Sequence, residues 1–234
     1  MPTIGFVIEG SHDLVMLPPL IKGELSARGY TDVRFQVIHP RADETGRIEG
    51  GGWKRVKAWC SANGGKNLQS FFQPLFADHP ALDAIVLHLD GDSLLDVCRS
   101  SSVQSPSLPV SVNARVSHIV EALAEWLDAS QSYEKKLVFA VPVQSTEAWI
   151  LASEATYHDI EAMDAKEEFQ RTFSREKHGT MEDFYRHRSA PAETRVAQIA
   201  SQSSSYARFR DALCEALAPV QTDCQPATNP SHAG

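Results

Sequence analysis

The run Ala84-Ile85-Val86-Leu87-His88-Leu89, closed directly by Asp90-Gly91-Asp92, constrains this chain more than any other segment. Nearly continuous apolar sequence of strand length, rich in β-branched residues, suits a central parallel strand covered on both faces. Thr3 to Ile8, ending in Glu9-Gly10-Ser11, and Leu137 to Val141, ending at Pro142, repeat the pattern. Val33 to Ile38, ending at Pro40, reads as another strand. Between these strands lie helical periodicities. Ser11 is a candidate N-cap for a helix carrying Leu14, Leu17, Leu20, Ile21 and Leu25, which Pro18-Pro19 must kink or restart. Trp53 to Phe76 reads as helical with a break at Asn63-Gly64-Gly65. Val112, Val116, Ile119, Val120, Leu123 and Leu127 define a crossover helix, and the stretch Ser145 to Ala152 opens another with Ser145 or Thr146 as its cap. Strands alternating with helices predict an α/β fold with a mostly parallel, Rossmann-like sheet flanked by helices.

The length of 234 residues suits one α/β domain with an appendage. Beyond Glu154 no convincing strand is visible, only helical segments such as 192–201 and 206–217. The expected division is an α/β domain over 1–153 with an insertion over 41–82, a helical extension over 154–218, and a disordered tail over 219–234 rich in Pro and Thr.

With 42% hydrophobic and 22% charged residues, the composition excludes fibrous and wholly disordered chains. No apolar run reaches the roughly 18–20 residues of a membrane span, and the first residues lack the pattern of a secretory leader. A cytoplasmic protein with no membrane partner is expected. Cys60, Cys98, Cys214 and Cys224 are scattered, so they suggest neither a thiolate zinc site nor a disulfide framework. A net charge of −8 disfavours coating of nucleic acid but permits a local phosphate-gripping patch. One such patch is the 171–210 segment, where eight Lys and Arg stand against four acids. An ordinary helical face explains it equally well.

In open parallel sheets ligands bind beyond the carboxyl ends of the strands. Acids fall at those ends: Glu9 after the first strand, Asp90 and Asp92 after the central one, Glu147 shortly after the last, with Asp13 near the first. Spacing of two residues puts Asp90 and Asp92 on one side if the chain stays extended. Clustered carboxylates raise one another's pKa unless a cation neutralises them, and hard oxygen ligands favour Mg²⁺ or Mn²⁺. One or two such ions would suit phosphodiester cleavage or transfer.

Other residues carry weaker signals. Gly51, Gly52, Lys54 and Arg55 could contact a phosphate, although the order of a P-loop is absent, and His12 could touch a phosphate or move a proton. His88, between two leucines, reads as a core histidine, and Trp149 as a packing residue. No nucleophile elbow is present.

Glu9-Gly10 and Asp90-Gly91-Asp92 resemble the TOPRIM-like superfamily, which places Glu-Gly after its first strand and Asp-x-Asp after a later one. With the 8–13 and 142–153 segments, the likeness is more particularly to a poorly characterised bacterial family related to overcoming-lysogenization-defect nucleases, and it covers roughly residues 3–153. The resemblance implies a Mg²⁺-dependent nuclease domain acting on DNA or RNA in phage defence or a mobile element, in some cases beside an ATPase subunit. It assigns Glu9 as the catalytic or metal-organising acid, Asp90 and Asp92 as catalytic metal ligands, Asp13 as a second acid, and Glu147 as a further ligand. The alternative is a non-catalytic binding subunit of an ATPase-containing defence complex.

Overall fold

A computed structural model describes residues 1–41, 51–76, 80–106, 110–128, 131–173 and 179–218. In chain order the elements are β1 (Thr3–Val7), α1 (Asp13–Ser26), β2 (Arg34–His39), α2 (Trp53–Asn63), α3 (Gln69–Phe72), β3 (Ala84–His88), α4 (Leu94–Arg99), α5 (Val112–Leu127) and α6 (Gln131–Glu134). There follow β4 (Leu137–Ala140), α7 (Glu147–Glu154), α8 (Ala165–Phe173), α9 (Met181–Ser189), α10 (Val196–Gln202) and α11 (Ser204–Ala216).

The four strands form one sheet in the order β2-β1-β3-β4, and every pairing is parallel. All carboxyl ends therefore lie along one edge. The central strands β1 and β3 are buried along their whole length, as their unbroken apolar sequences require. From β1 the chain passes to β2 on one side and then to β3 on the other, so the order reverses between β1 and β3. That switch point is where an α/β sheet opens a crevice.

Each face of the sheet is covered by its own apolar layer. Alternation along β3 sends Ile85, Leu87 and Leu89 into a core with residues of α2, α4 and α5. Ala84 and Val86 point the other way, into a core with residues of α1 and α7 to α11. The described helices within 154–218 thus pack into the main core. Trp149 of α7 is fully buried, stacked on Phe209, with its indole N–H donating to Ser205 Oγ. The short charged helices α8 and α9 lack an obvious apolar face in the sequence. In α8 only Ala165, Phe169 and Phe173 are buried, a stripe one residue wide among charges.

Two local expectations need correction. Helix α1 begins at Asp13 with His12, not Ser11, at its cap position, and it runs uninterrupted through Pro18 and Pro19. Pro19 cannot donate to the Val15 carbonyl, and Ser189 Oγ donates to it instead at 3.0 Å, so tertiary packing fills the gap a proline leaves in a helix. Thr146 occupies the cap position of α7 but makes no capping hydrogen bond, because its hydroxyl is engaged elsewhere, as described below.

Cys60, Cys98 and Cys214 are free, and burial pushes the Cys60 thiol up to about 12, so it stays protonated. Cys224 and the 219–234 tail lie outside the described residues. No described helix is long and apolar enough to cross a membrane.

Candidate metal centre

The alternation that puts Val86 into the core beneath α1 also turns His88, the last residue of β3, toward the N-termini of α1 and α7. Asp90 follows with the same parity. Helix α1 brings Asp13 and helix α7 brings Thr146 to the same place, and all four residues are buried. Thr146 Oγ1 donates to Asp13 Oδ1 at 2.8 Å and lies 2.8 Å from His88 Nε2. The remaining His88 nitrogen, Nδ1, is 3.7 Å from Asp13 Oδ2, while Asp90 Oδ1 is 3.5 Å from Nε2. One donor atom from each of Asp13, His88 and Asp90 lies within 4.8 Å of the others. His88 Nδ1 and Asp90 Oδ1 have no hydrogen-bond partner among the described residues.

Electrostatics records this crowding. Burial pushes the Asp13 carboxyl up to about 7 despite the neighbouring imidazole. Burial alone would lower His88, but the carboxylates of Asp13, Asp90 and Glu9 outweigh it and raise the imidazole to about 9. Burial likewise works against ionised Asp90, yet His88 and Lys166 hold its carboxyl below the usual range.

Around this inner cluster stand the other acids read from the sequence. Glu9 Oε2 accepts the Asp90 backbone N–H at 3.0 Å, and burial raises the Glu9 carboxyl. Asp92 does not share Asp90's direction as an extended chain would require. The backbone turns into a 3₁₀ helix at Gly91–Ser93, leaving the Asp92 side chain 46% exposed against 12% for Asp90. The turn needs glycine, since a Cβ on Gly91 would sit 2.0 Å from the Val143 carbonyl oxygen. Lys166 of α8 reconnects the two acids, with Nζ 3.0 Å from Asp90 Oδ2 and 2.8 Å from Asp92 Oδ2. Glu147 is buried at the start of α7, next to Thr146, where Oε1 accepts the Tyr185 hydroxyl at 3.0 Å. The Tyr185 ring stacks on His12 at 4.4 Å and on Phe169 at 5.3 Å.

The glycine loop touches the site through its backbone. Gly51 packs so closely that a Cβ would meet the Glu9 carbonyl oxygen at 1.9 Å, and the Gly52 N–H donates to that oxygen at 2.9 Å. That N–H is therefore already bonded and not offered to a phosphate. Lys54 Nζ lies over the Trp53 ring, and Arg55 is also partnered. Among the cations of 171–210, Arg171 pairs with Glu168, Arg186 with Glu182, Arg195 with Glu154 and Arg210 with Asp211. Arg188 lies over Phe173, and Arg208 donates weakly to Ser117. Arg175 and Lys177 lie outside the described residues.

The sequence reading missed His88 and Lys166, and it gave Thr146 only a capping role. His88 carries a legible signal, a titratable side chain at the last position of a buried strand with the parity of Asp90. Lys166 carries none, because only tertiary packing brings α8 to β3.

Fold and site together define an α/β protein with an all-parallel sheet and a buried carboxylate–imidazole cluster at its topological switch point. Compared with family models, curated proteins and solved structures, the chain matches none.

Proposed function

We propose that this chain is a divalent-cation-dependent phosphodiesterase acting on DNA or RNA, built on a TOPRIM-like core and working with Mg²⁺ or Mn²⁺. The observation that carries the reading is the meeting of Asp13, His88 and Asp90 donor atoms within 4.8 Å. The orphaned His88 Nδ1 and Asp90 Oδ1 fit a bound cation, since buried polar atoms without partners are costly otherwise. The likeness of Glu9-Gly10 and Asp90-Gly91-Asp92 to the TOPRIM pattern adds the substrate class.

A bound cation supplies charge neutralisation and activates water. Asp13 and Asp90 would hold it, and Thr146 fixes Asp13 and His88 relative to each other. Glu9, anchored by the Asp90 N–H and with its carboxyl raised above the usual carboxylate range by burial, would accept the proton of the attacking water. Lys166, outside the inner cluster and about half exposed, presents its ammonium to an arriving phosphate.

The test is incubation with assorted DNA and RNA in Mg²⁺, Mn²⁺ or EDTA. Metal-dependent cleavage lost in Glu9→Ala and Asp90→Ala supports the reading, and cleavage unchanged in both removes this site from the chemistry. Absence of cation binding together with a stable complex with an ATPase subunit would favour the non-catalytic binding module.

A further inference from the structure

The hydrogen-bond pattern around His88 constrains what its free nitrogen faces. Thr146 has a single hydroxyl proton, and it goes to Asp13 Oδ1 at 2.8 Å. Thr146 Oγ1 can then serve His88 Nε2, 2.8 Å away, only as an acceptor, so Nε2 carries a proton. A cation at His88 would then take the place of the second ring proton, on Nδ1, 3.7 Å from the carboxylate oxygen Asp13 Oδ2. Neither Nδ1 nor Asp90 Oδ1, which lies 3.5 Å from Nε2, has a hydrogen-bond partner among the described residues. Lone pairs gathered in this way repel one another unless a proton or a metal cation stands among them. The arrangement also matches how proteins prepare a metal-binding histidine, with the second ring nitrogen donating to a fixed acceptor that sets tautomer and ring orientation. Asp90 divides its two oxygens accordingly, Oδ1 toward His88 and Oδ2 toward Lys166, so a cation within the cluster leaves the Lys166 ion pair in place.

We infer that His88 Nδ1 is a direct metal ligand beside Asp13 and Asp90, and that this nitrogen makes the site select a first-row transition ion of the Mn²⁺ type over Mg²⁺. The inference rests on the reading of the cluster as a divalent-cation site. Imidazole is a borderline ligand that suits transition ions, whereas Mg²⁺ prefers an all-oxygen, largely hydrated shell. An acids-only site would show weaker selectivity and no nitrogen ligand.

The experiment is pulsed electron paramagnetic resonance of Mn²⁺ bound to the full chain, paired with competition by Mg²⁺. Nitrogen hyperfine coupling to bound Mn²⁺ is expected, retained in His12→Gln and lost in His88→Gln. Mn²⁺ should bind more tightly than Mg²⁺ to the wild-type protein. In His88→Gln its affinity falls by on the order of ten-fold or more, exceeding any loss for Mg²⁺. Should His88→Gln not fold, heavy-nitrogen histidine incorporated into His12→Gln must change the isotope signature of the coupling. Bound Mn²⁺ without nitrogen coupling, or coupling that survives in His88→Gln, overturns the inference and leaves a metal-dependent enzyme standing. Failure of Mn²⁺ to bind at millimolar concentration overturns both. Nitrogen coupling in a protein that cleaves no nucleic acid keeps the ligand and removes the nuclease.

Discussion

Lys166 Nζ lies 3.0 Å from Asp90 Oδ2, linking a helix of the C-terminal layer to the carboxyl end of the central strand. The carboxylates of Asp90 and Asp92 hold the ammonium charged, more than offsetting its partial burial. Lys166→Met removes a positive charge that would repel a metal ion bound at the neighbouring acids. Divalent-cation affinity, measured by calorimetry, should rise about two- to five-fold, the factor expected for a partly exposed ion pair. Cleavage should fall if the ammonium receives the phosphate. A fall in both affinity and cleavage would instead make Lys166 a strut that positions Asp90.

Thr146 tests the inner network. Thr146→Val keeps the shape but takes a partner from both Asp13 and His88. We expect a loss of about 1–3 kcal/mol in urea unfolding of the metal-free protein. Cation affinity should fall roughly 10- to 100-fold, as when other groups that orient metal ligands are removed. An unchanged affinity would show that the hydroxyl orients nothing.

Stability of the metal-free protein should depend on pH with a definite sign. His88 is raised from 6.5 to about 9 in the folded chain, so the stability that its charge confers is complete below about 6.5 and is lost as pH rises through about 9. Asp13, raised from 3.8 to about 7, holds its proton longer folded than unfolded, so stability also falls between those values as pH rises. Thermal melts in EDTA should therefore show a melting temperature that declines from pH 5 to 9. His88→Asn should flatten the part of that decline above about pH 6.5. A wild-type melting temperature that climbs over this range would contradict the assignment.

Gly91 tests the turn that separates the two aspartates. In Gly91→Ala the new Cβ meets the Val143 carbonyl oxygen at 2.0 Å, so the β3 and β4 loops must part. We expect about 1–3 kcal/mol of destabilisation in urea, and weaker cation binding because Asp90 moves with its neighbour. Wild-type stability would show that the loops separate freely.

The α/β class, the strands at 3–7, 84–88 and 137–140, and the helix over 112–127 are legible in the sequence because each follows from local periodicity and apolar runs. Glu9, Asp90 and Glu147 at strand ends are legible for the same reason: in a parallel sheet every strand end reaches one edge. What local pattern cannot supply is the direction of each side chain once the strand gives way to a turn. Asp92 leaves the side of Asp90 because the backbone coils at Gly91. Thr146, a helix cap by its sequence position, donates its hydroxyl hydrogen bond to Asp13, 133 positions away. His88 reads as core from its leucine neighbours, and it is indeed fully buried, but strand parity turns it into the cluster. The narrow apolar stripe of α8 is too weak a signal to find, and its packing delivers Lys166 to Asp90 across 76 positions of chain. The sequence by itself determined the strands, the helices that alternate with them and which acids reach the sheet edge, since those follow from near-neighbour physics. Tertiary structure alone decided which of them share a cation's space, since that depends on contacts between segments distant in the chain.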